Sequence, residues 1–300
     1  EFNVAIGNGT LDALTTGDKN TVVGYNAGTA VTTGSENTAM GEAALAANTT
    51  ASYNTAVGHT ALAANTEGAA NTAVGRDALE ANTTGGSNTA VGYDALEANT
   101  EAAGNTAVGH SALKANTTGA SNVAVGTDAL KTNSTSTGNV AVGFEAGKIV
   151  SDGAGILAIG YRAYDNADNE DNNLAIGYDA LGGAVNGGEY NVAIGNYTLD
   201  ALTSADFCTA VGYDAGSAIT TGGYNTLIGH QSGDAITSGN TNTAVGQGSL
   251  STNTVGDRNT AVGSGALQTF NPGSNTDNNN TAVGYAALQA LTTGVHNIAI

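Results

Sequence analysis

Apolar and polar positions along the chain recur on one beat. Read from Gly92, the order is Tyr93, Asp94, Ala95, Leu96, two further positions, Asn99, a Thr-rich turn, a polar pair, and then Asn105-Thr106-Ala107-Val108-Gly109. The closing glycine stands at Gly7, Gly24, Gly41, Gly58, Gly75, Gly92, Gly109, Gly126, Gly143, Gly160 and Gly177, a constant spacing of 17 residues. It continues through Gly195, Gly212, Gly229, Gly246, Gly263 and Gly284, with spacings of 18, 17, 17, 17, 17 and 21. Short units that cannot bury a core alone, stacked on a fixed period, predict a solenoid.

The Asn-Thr-Ala-Val-Gly stretch has strand chemistry, and alternation along a strand divides it between two faces. Thr89 and Val91 share one face; Asn88, Ala90 and Gly92 share the other. The residue before the glycine is Val or Ile everywhere except Met40, which on hydropathy alone makes the Thr–Val face the interior. The Ala slot is Ala in 16 of 18 copies, departing only at Val22 and Leu227. Small residues held so constantly imply close packing on that face too, and a strand covered on both faces belongs to a buried parallel sheet. One thin coil has a single inside, so the expected cover on the Asn-Ala-Gly face is a second copy of the chain, unless the slot simply has not diversified since duplication.

After the glycine, Asp77 with Glu80 and Asp94 with Glu97 have the spacing of a helix capping box. The sequence therefore predicts a short helical turn here or a second short strand. Where the Leu slot becomes Gly, at Gly28, Gly147, Gly216 and Gly233, the residue three later is Val31, Val150, Ile219 or Ile236. In Leu-bearing repeats such as Leu45 with Asn48 it is Asn, so volume lost at one slot returns at the other and both line one core. Thr-Thr-Gly and the polar pair are turn residues, and both insertions fall there. The fold class expected is all-β: a parallel β-solenoid, or β-roll, spanning residues 1–300 as a single array of about 17 coils without separate domains. At the ~4.8 Å between neighbouring strands, such an array makes a rod on the order of 80 Å. It starts and stops inside a repeat and reads as part of a longer fibre.

Asn-Thr-Ala-Val-Gly and its variant Asn-Val-Ala-Ile-Gly, at Asn3 to Gly7 and Asn191 to Gly195, resemble the head repeats of YadA-type trimeric autotransporter adhesins. The fuller Asn-Thr-Ala-Val-Gly-Tyr-Asp-Ala-Leu unit is similar to repeats in phage tail-fibre shafts. The resemblance covers the whole chain and implies a left-handed parallel β-roll assembled as a homotrimer. Two features differ from the adhesins: the period of 17 is longer, and Ala-Leu replaces the second small-residue strand.

Composition narrows function. Seven basic residues against 26 acidic ones give a net charge of −19, which repels nucleic acid and anionic membrane surfaces. No apolar run approaches the ~20 residues a membrane span needs. Cys208 occupies a slot that is otherwise Asn and reads as a drifted position with a free thiol.

A periodic array repeats one group along a line, whereas catalysis needs unlike groups converging, so no enzyme and no cofactor is expected. His59, His110 and His230 lie at least 51 residues apart and read as surface positions. Calcium suits the acidic turn containing Asp165, Asp168, Glu170 and Asp171, but its spacing matches no standard loop and a solvated acidic turn is the preferred reading. Tyr93, Tyr161, Tyr178 and Tyr213 follow the glycine and form either a glycan-binding row or, the preferred reading, a stack between coils or between chains. Ice binding by Thr rows is disfavoured, because the strand threonines share the face assigned to the core.

The function expected is therefore the structural shaft of an extracellular homo-oligomeric fibre, as in a virion tail fibre or a cell-surface adhesin, holding a receptor-binding tip at a distance. Its partner is itself, with a glycan or receptor engaged through other parts. The alternatives are a subunit of an end-to-end filament and a glycan-, calcium- or ice-binding module.

Overall fold

The computed structural model describes residues 2–167, 169–274 and 277–300. The chain forms two compact units, Glu1–Asp152 and Gly153–Ile300. Each is a parallel β-solenoid in which every coil contributes one short strand, such as Thr72–Val74, Thr89–Val91 and Thr106–Val108 in the first unit. Among the described residues there is no helix.

Register follows the repeat slot for slot. In the first unit Thr72, Ala73 and Val74 pair with Thr89, Ala90 and Val91; in the second, Thr209, Ala210 and Val211 pair with Thr226, Leu227 and Ile228. The insertions leave the ladder untouched. Leu174 still pairs with Val192, and Thr260 with Thr281, so the extra residues are absorbed in the turns.

The orientation of the strand is the reverse of the hydropathy reading. Ala90 is fully buried and Asn88 is 1% exposed within a single chain, whereas Thr89 and Val91 are half-buried and face outward. No second copy is needed to cover the Ala face, because the coil's own far side does so: Leu96 and Asn99 are fully buried against it. Volume decides the matter. A coil of 17 residues encloses too little space for two opposed rows of Val and Leu, so the inward slots take Ala, Leu and Asn, and the Val row is turned out.

Asn is admitted to the interior because the stack satisfies it completely. Asn88 Oδ1 accepts the Asn105 backbone N–H (2.9 Å), and Asn88 Nδ2 donates to the Ala102 carbonyl (2.8 Å). On the opposite wall Asn99 Nδ2 donates to Asn82 Oδ1 (2.8 Å) and to the Ala102 carbonyl (3.1 Å). Two amide ladders thus run through the core, the side-chain oxygens of Asn82 and Asn88 each accepting a bond from the following coil. Where Cys208 replaces Asn, its backbone N–H still bonds Asn191 Oδ1 (2.9 Å), while its thiol is buried.

The helical turn expected after the glycine does not form. Asp94 and Leu96 have φ of 55° and 52°, left-handed values that break any right-handed helix. Asp94 N–H donates back to the Arg76 carbonyl (3.1 Å) and Leu96 N–H forward to the Ala112 carbonyl (3.0 Å). Bonds between coils satisfy these groups, and the local i→i+4 pattern has no claim on them. The expected exchange between Leu and Asn slots holds: Leu45, Asn48, Val31 and Val150 are all buried, Val31 beside Gly28 and Val150 beside Gly147.

Gly58, Gly75, Gly92 and Gly109 end the strand at a corner. Gly92 has φ 140°, and a Cβ placed there would stand 2.4 Å from the Gly109 carbonyl oxygen. The corner therefore excludes any side chain, which fixes the most regular beat in the sequence.

Candidate interaction face

With Asn and Ala turned inward, each strand presents Thr and Val or Ile to the outside, coil after coil. Val74, Val108 and Val142 in the first unit are each 36% exposed, and Ile194 and Ile228 in the second 37% and 40%. None of the three-residue strands in either unit contains Lys, Arg, Asp or Glu. The threonines differ by location. Turn residues such as Thr83 donate their hydroxyl to the next coil, Oγ1 to the Thr100 carbonyl at 3.1 Å. Strand threonines such as Thr72, Thr89 and Thr106 find no hydroxyl partner among the described residues.

Aromatic side chains flank this face. Tyr93 stacks on His110 with ring centroids 5.4 Å apart, and Arg76 lies over the other face of Tyr93 at 5.6 Å. In the second unit Tyr161 stacks on Tyr178 (5.0 Å), Tyr178 meets Tyr197 edge-on (5.3 Å), Tyr197 meets Tyr213 (5.9 Å), and Tyr213 stacks on His230 (5.5 Å). Rings of this row therefore contact one another from coil to coil, some stacked and some edge-on. Tyr178 additionally has Asp179 beside it, whose negative charge holds the phenol above its ordinary pKa.

A second ladder escaped the sequence reading. Tyr190, Phe207 and Tyr224 occupy the slot two residues before the strand and stack at 5.2 Å and 5.1 Å. Their period of 17 was the available signal. It was obscured because the same slot holds Lys19, Glu36, Ser87 and Gly104 in the first unit, so no consensus marks it.

The calcium candidates are committed locally. Asp165 Oδ2 accepts from Arg162 Nε at 2.6 Å, and Asp171 Oδ1 accepts the Ala154 N–H at 2.8 Å. Glu170 Oε1 accepts the Gly187 N–H at 2.8 Å. Asp168 lies outside the described residues. Among the described residues no group of three or more His, Cys, Asp or Glu is placed to hold a metal ion.

One groove of about 510 Å³ lies beside the turns of the first unit, lined by Glu80, Ala81, Glu97, Ala98, Lys114 and Ala115 among others. Both of its lysines are held by neighbouring carboxylates. Lys114 Nζ reaches Asp94 Oδ2 (2.6 Å) and Glu97 Oε2 (2.9 Å), and those bonds raise the ammonium pKa. Next along the same column, Lys131 pairs with Asp128 (3.1 Å). Burial pushes the Cys208 thiol up to about 11, away from the thiolate a nucleophile requires.

The dominant surface feature of each unit is therefore an uncharged, half-exposed Thr–Val face edged by stacked aromatics. The chain matches no family model and no curated protein.

Proposed function

We propose that this chain is the shaft of an extracellular homo-oligomeric fibre, most simply a trimer, whose role is mechanical: a stiff spacer holding a receptor-binding tip away from its base. The observation that carries the reading is the outward Thr–Val/Ile face. On a chain of net charge −19, two copies repel wherever their acidic surfaces approach. The strand face is free of charge and rich in half-exposed aliphatic groups, and so offers a surface along which like copies pack without opposing carboxylates. Repeated parallel ladders and amide ladders within each unit supply the stiffness. The likeness of Asn-Val-Ala-Ile-Gly to adhesin head repeats, and of the longer unit to tail-fibre shafts, favours three copies and an extracellular place.

Sedimentation equilibrium over a hundredfold concentration range tests this, with electron micrographs of the same samples. A concentration-independent mass of three chains is expected. A monomer throughout overturns the proposal, and a mass that grows with concentration replaces it with an end-to-end filament.

A second reading is favoured by one observation. The strand threonines stand on the open face, not in the core, so the ground for setting ice binding aside is removed. Rows of unpartnered hydroxyls repeat at ~4.8 Å along the stack and lie ~6.6 Å from the Val row, by strand geometry. An uncovered face of that kind orders water. It predicts a monomer with measurable thermal hysteresis, and a monomer without hysteresis removes it.

A further inference from the structure

In the second unit the Thr–Val face is bordered on both sides by rings in the same coils. Tyr190, Phe207 and Tyr224 precede the strands Val192–Ile194, Thr209–Val211 and Thr226–Ile228; Tyr197, Tyr213 and His230 follow them. Phe207 and Tyr213 are 46% and 45% exposed, and Tyr224 is 62% exposed. Successive rings lie 5.1–5.2 Å apart in the first ladder and 5.5–5.9 Å apart in the second. Neither ladder nor the strand residues between them contains a charged carboxylate or ammonium group.

We infer that copies of the chain associate in parallel and in register, with the Tyr190–Phe207–Tyr224 ladder of one copy against the Tyr197–Tyr213–His230 ladder of the next. This pairing rests on the self-association proposed above and specifies where and how it is anchored.

The argument is one of pitch, charge and symmetry. A row of rings spaced by the coil rise is matched ring for ring by another row of the same spacing, and each copy carries two. Any rotation about an axis along the stack brings the leading edge of one face to the trailing edge of its neighbour's, whether two or three copies share the axis. An antiparallel two-fold instead sets each ladder against itself. Tyr190, Phe207 and Tyr224 stack within a copy and so offer a neighbour their edges and Tyr hydroxyls, whereas Tyr197 and Tyr213 meet edge-on; both suit edge-to-face contact across copies. Large aromatic side chains beside an uncharged apolar face are groups that commonly anchor association when buried by a partner. The first unit lacks this arrangement: Tyr53 stands between Glu36 and Ala70 in the corresponding slot, so no ring precedes or follows it in that row.

Disulfide trapping on the full chain tests the pairing. Tyr224→Cys and His230→Cys, made singly and together, are oxidised and resolved by denaturing electrophoresis, with the mass of each unoxidised protein measured in parallel. Within one chain the two positions are separated by the strand, on the order of 18 Å, too far for an internal bond. The expected result is covalent multimers from the double variant alone. Dimers from Tyr224→Cys alone mean antiparallel packing and overturn the inference. A multimeric mass without cross-linking in the double variant also overturns it, leaving self-association itself standing. A monomeric wild-type chain removes both. As an independent check, Phe207→Ser with Tyr224→Ser is expected to lower the measured mass to that of one chain with an unchanged circular-dichroism spectrum. Tyr53→Ser, equally exposed at 62%, is expected to leave the mass unchanged; loss of association there as well contradicts a localised anchor.

Discussion

Ala90 and Val91 are neighbours with opposite roles, and mutations separate them. Ala90 is fully buried, so Ala90→Val adds two methyl groups to a filled coil and is expected to destabilise the chain by about 1–3 kcal/mol. Val91→Ala removes only a half-exposed side chain and is expected to cost less, under about 1 kcal/mol in the isolated chain. Urea titration of both variants checks the order, and the reverse order restores the hydropathy assignment. Two further residue-scale effects concern carboxyls. Burial, and then repulsion from Asp214, raise the Asp200 pKa; burial is also the chief cause raising that of Asp234. A carboxyl whose folded pKa is raised contributes stability that is present below its unfolded pKa and lost as pH rises through the folded value. Asp200→Asn is therefore expected to raise the urea midpoint at pH 7, and to leave it nearly unchanged at about pH 3, below the ordinary Asp value of about 3.9. A lower midpoint at pH 7 contradicts this.

At the scale of one coil, the period was legible from the glycines and the facing was not. Gly92 announces itself because a Cβ there meets the Gly109 carbonyl at 2.4 Å, a steric veto that leaves its mark in every copy. The inward face was misread because hydropathy ranks Val above Asn. What reverses that ranking is the hydrogen bond from Asn105 N–H to Asn88 Oδ1, a contact between residues 17 apart that exists only once coils are stacked. Likewise the Asp94–Glu97 spacing resembles a helix start, but Asp94 has φ 55° and its carboxylate accepts from Lys114 Nζ of the following coil. Coil-to-coil bonding overrides local propensity in each case. The coil, being the unit of register, is also the unit of deletion. Removing residues 93–109, one full period, is expected to leave the circular-dichroism spectrum unchanged in shape and to shift stability by only about one coil's share. Removing eight residues, 93–100, leaves a coil too short to close in register with its neighbours and is expected to abolish cooperative unfolding. Equal tolerance of both deletions contradicts a solenoid held in register by its slots.

For the molecule as a whole, the facing of the strand moves the expected contact between copies from the Ala row to the Thr–Val row. The aromatic ladder of Tyr190, Phe207 and Tyr224 went unread for a related reason: a slot that varies between repeats carries no consensus, so its chemistry emerges only when three coils are stacked. The measurement that tests the account most directly is the light-scattering mass of the wild-type chain beside one carrying Val74→Glu, Val108→Glu and Val142→Glu. All three positions face outward and are 36% exposed, so a single chain accommodates the new carboxylates, whereas an interface between copies of charge −19 does not. The account predicts a multimer of fixed mass for the wild type and a folded monomer for the variant. A wild-type monomer, or a variant that remains multimeric, contradicts it.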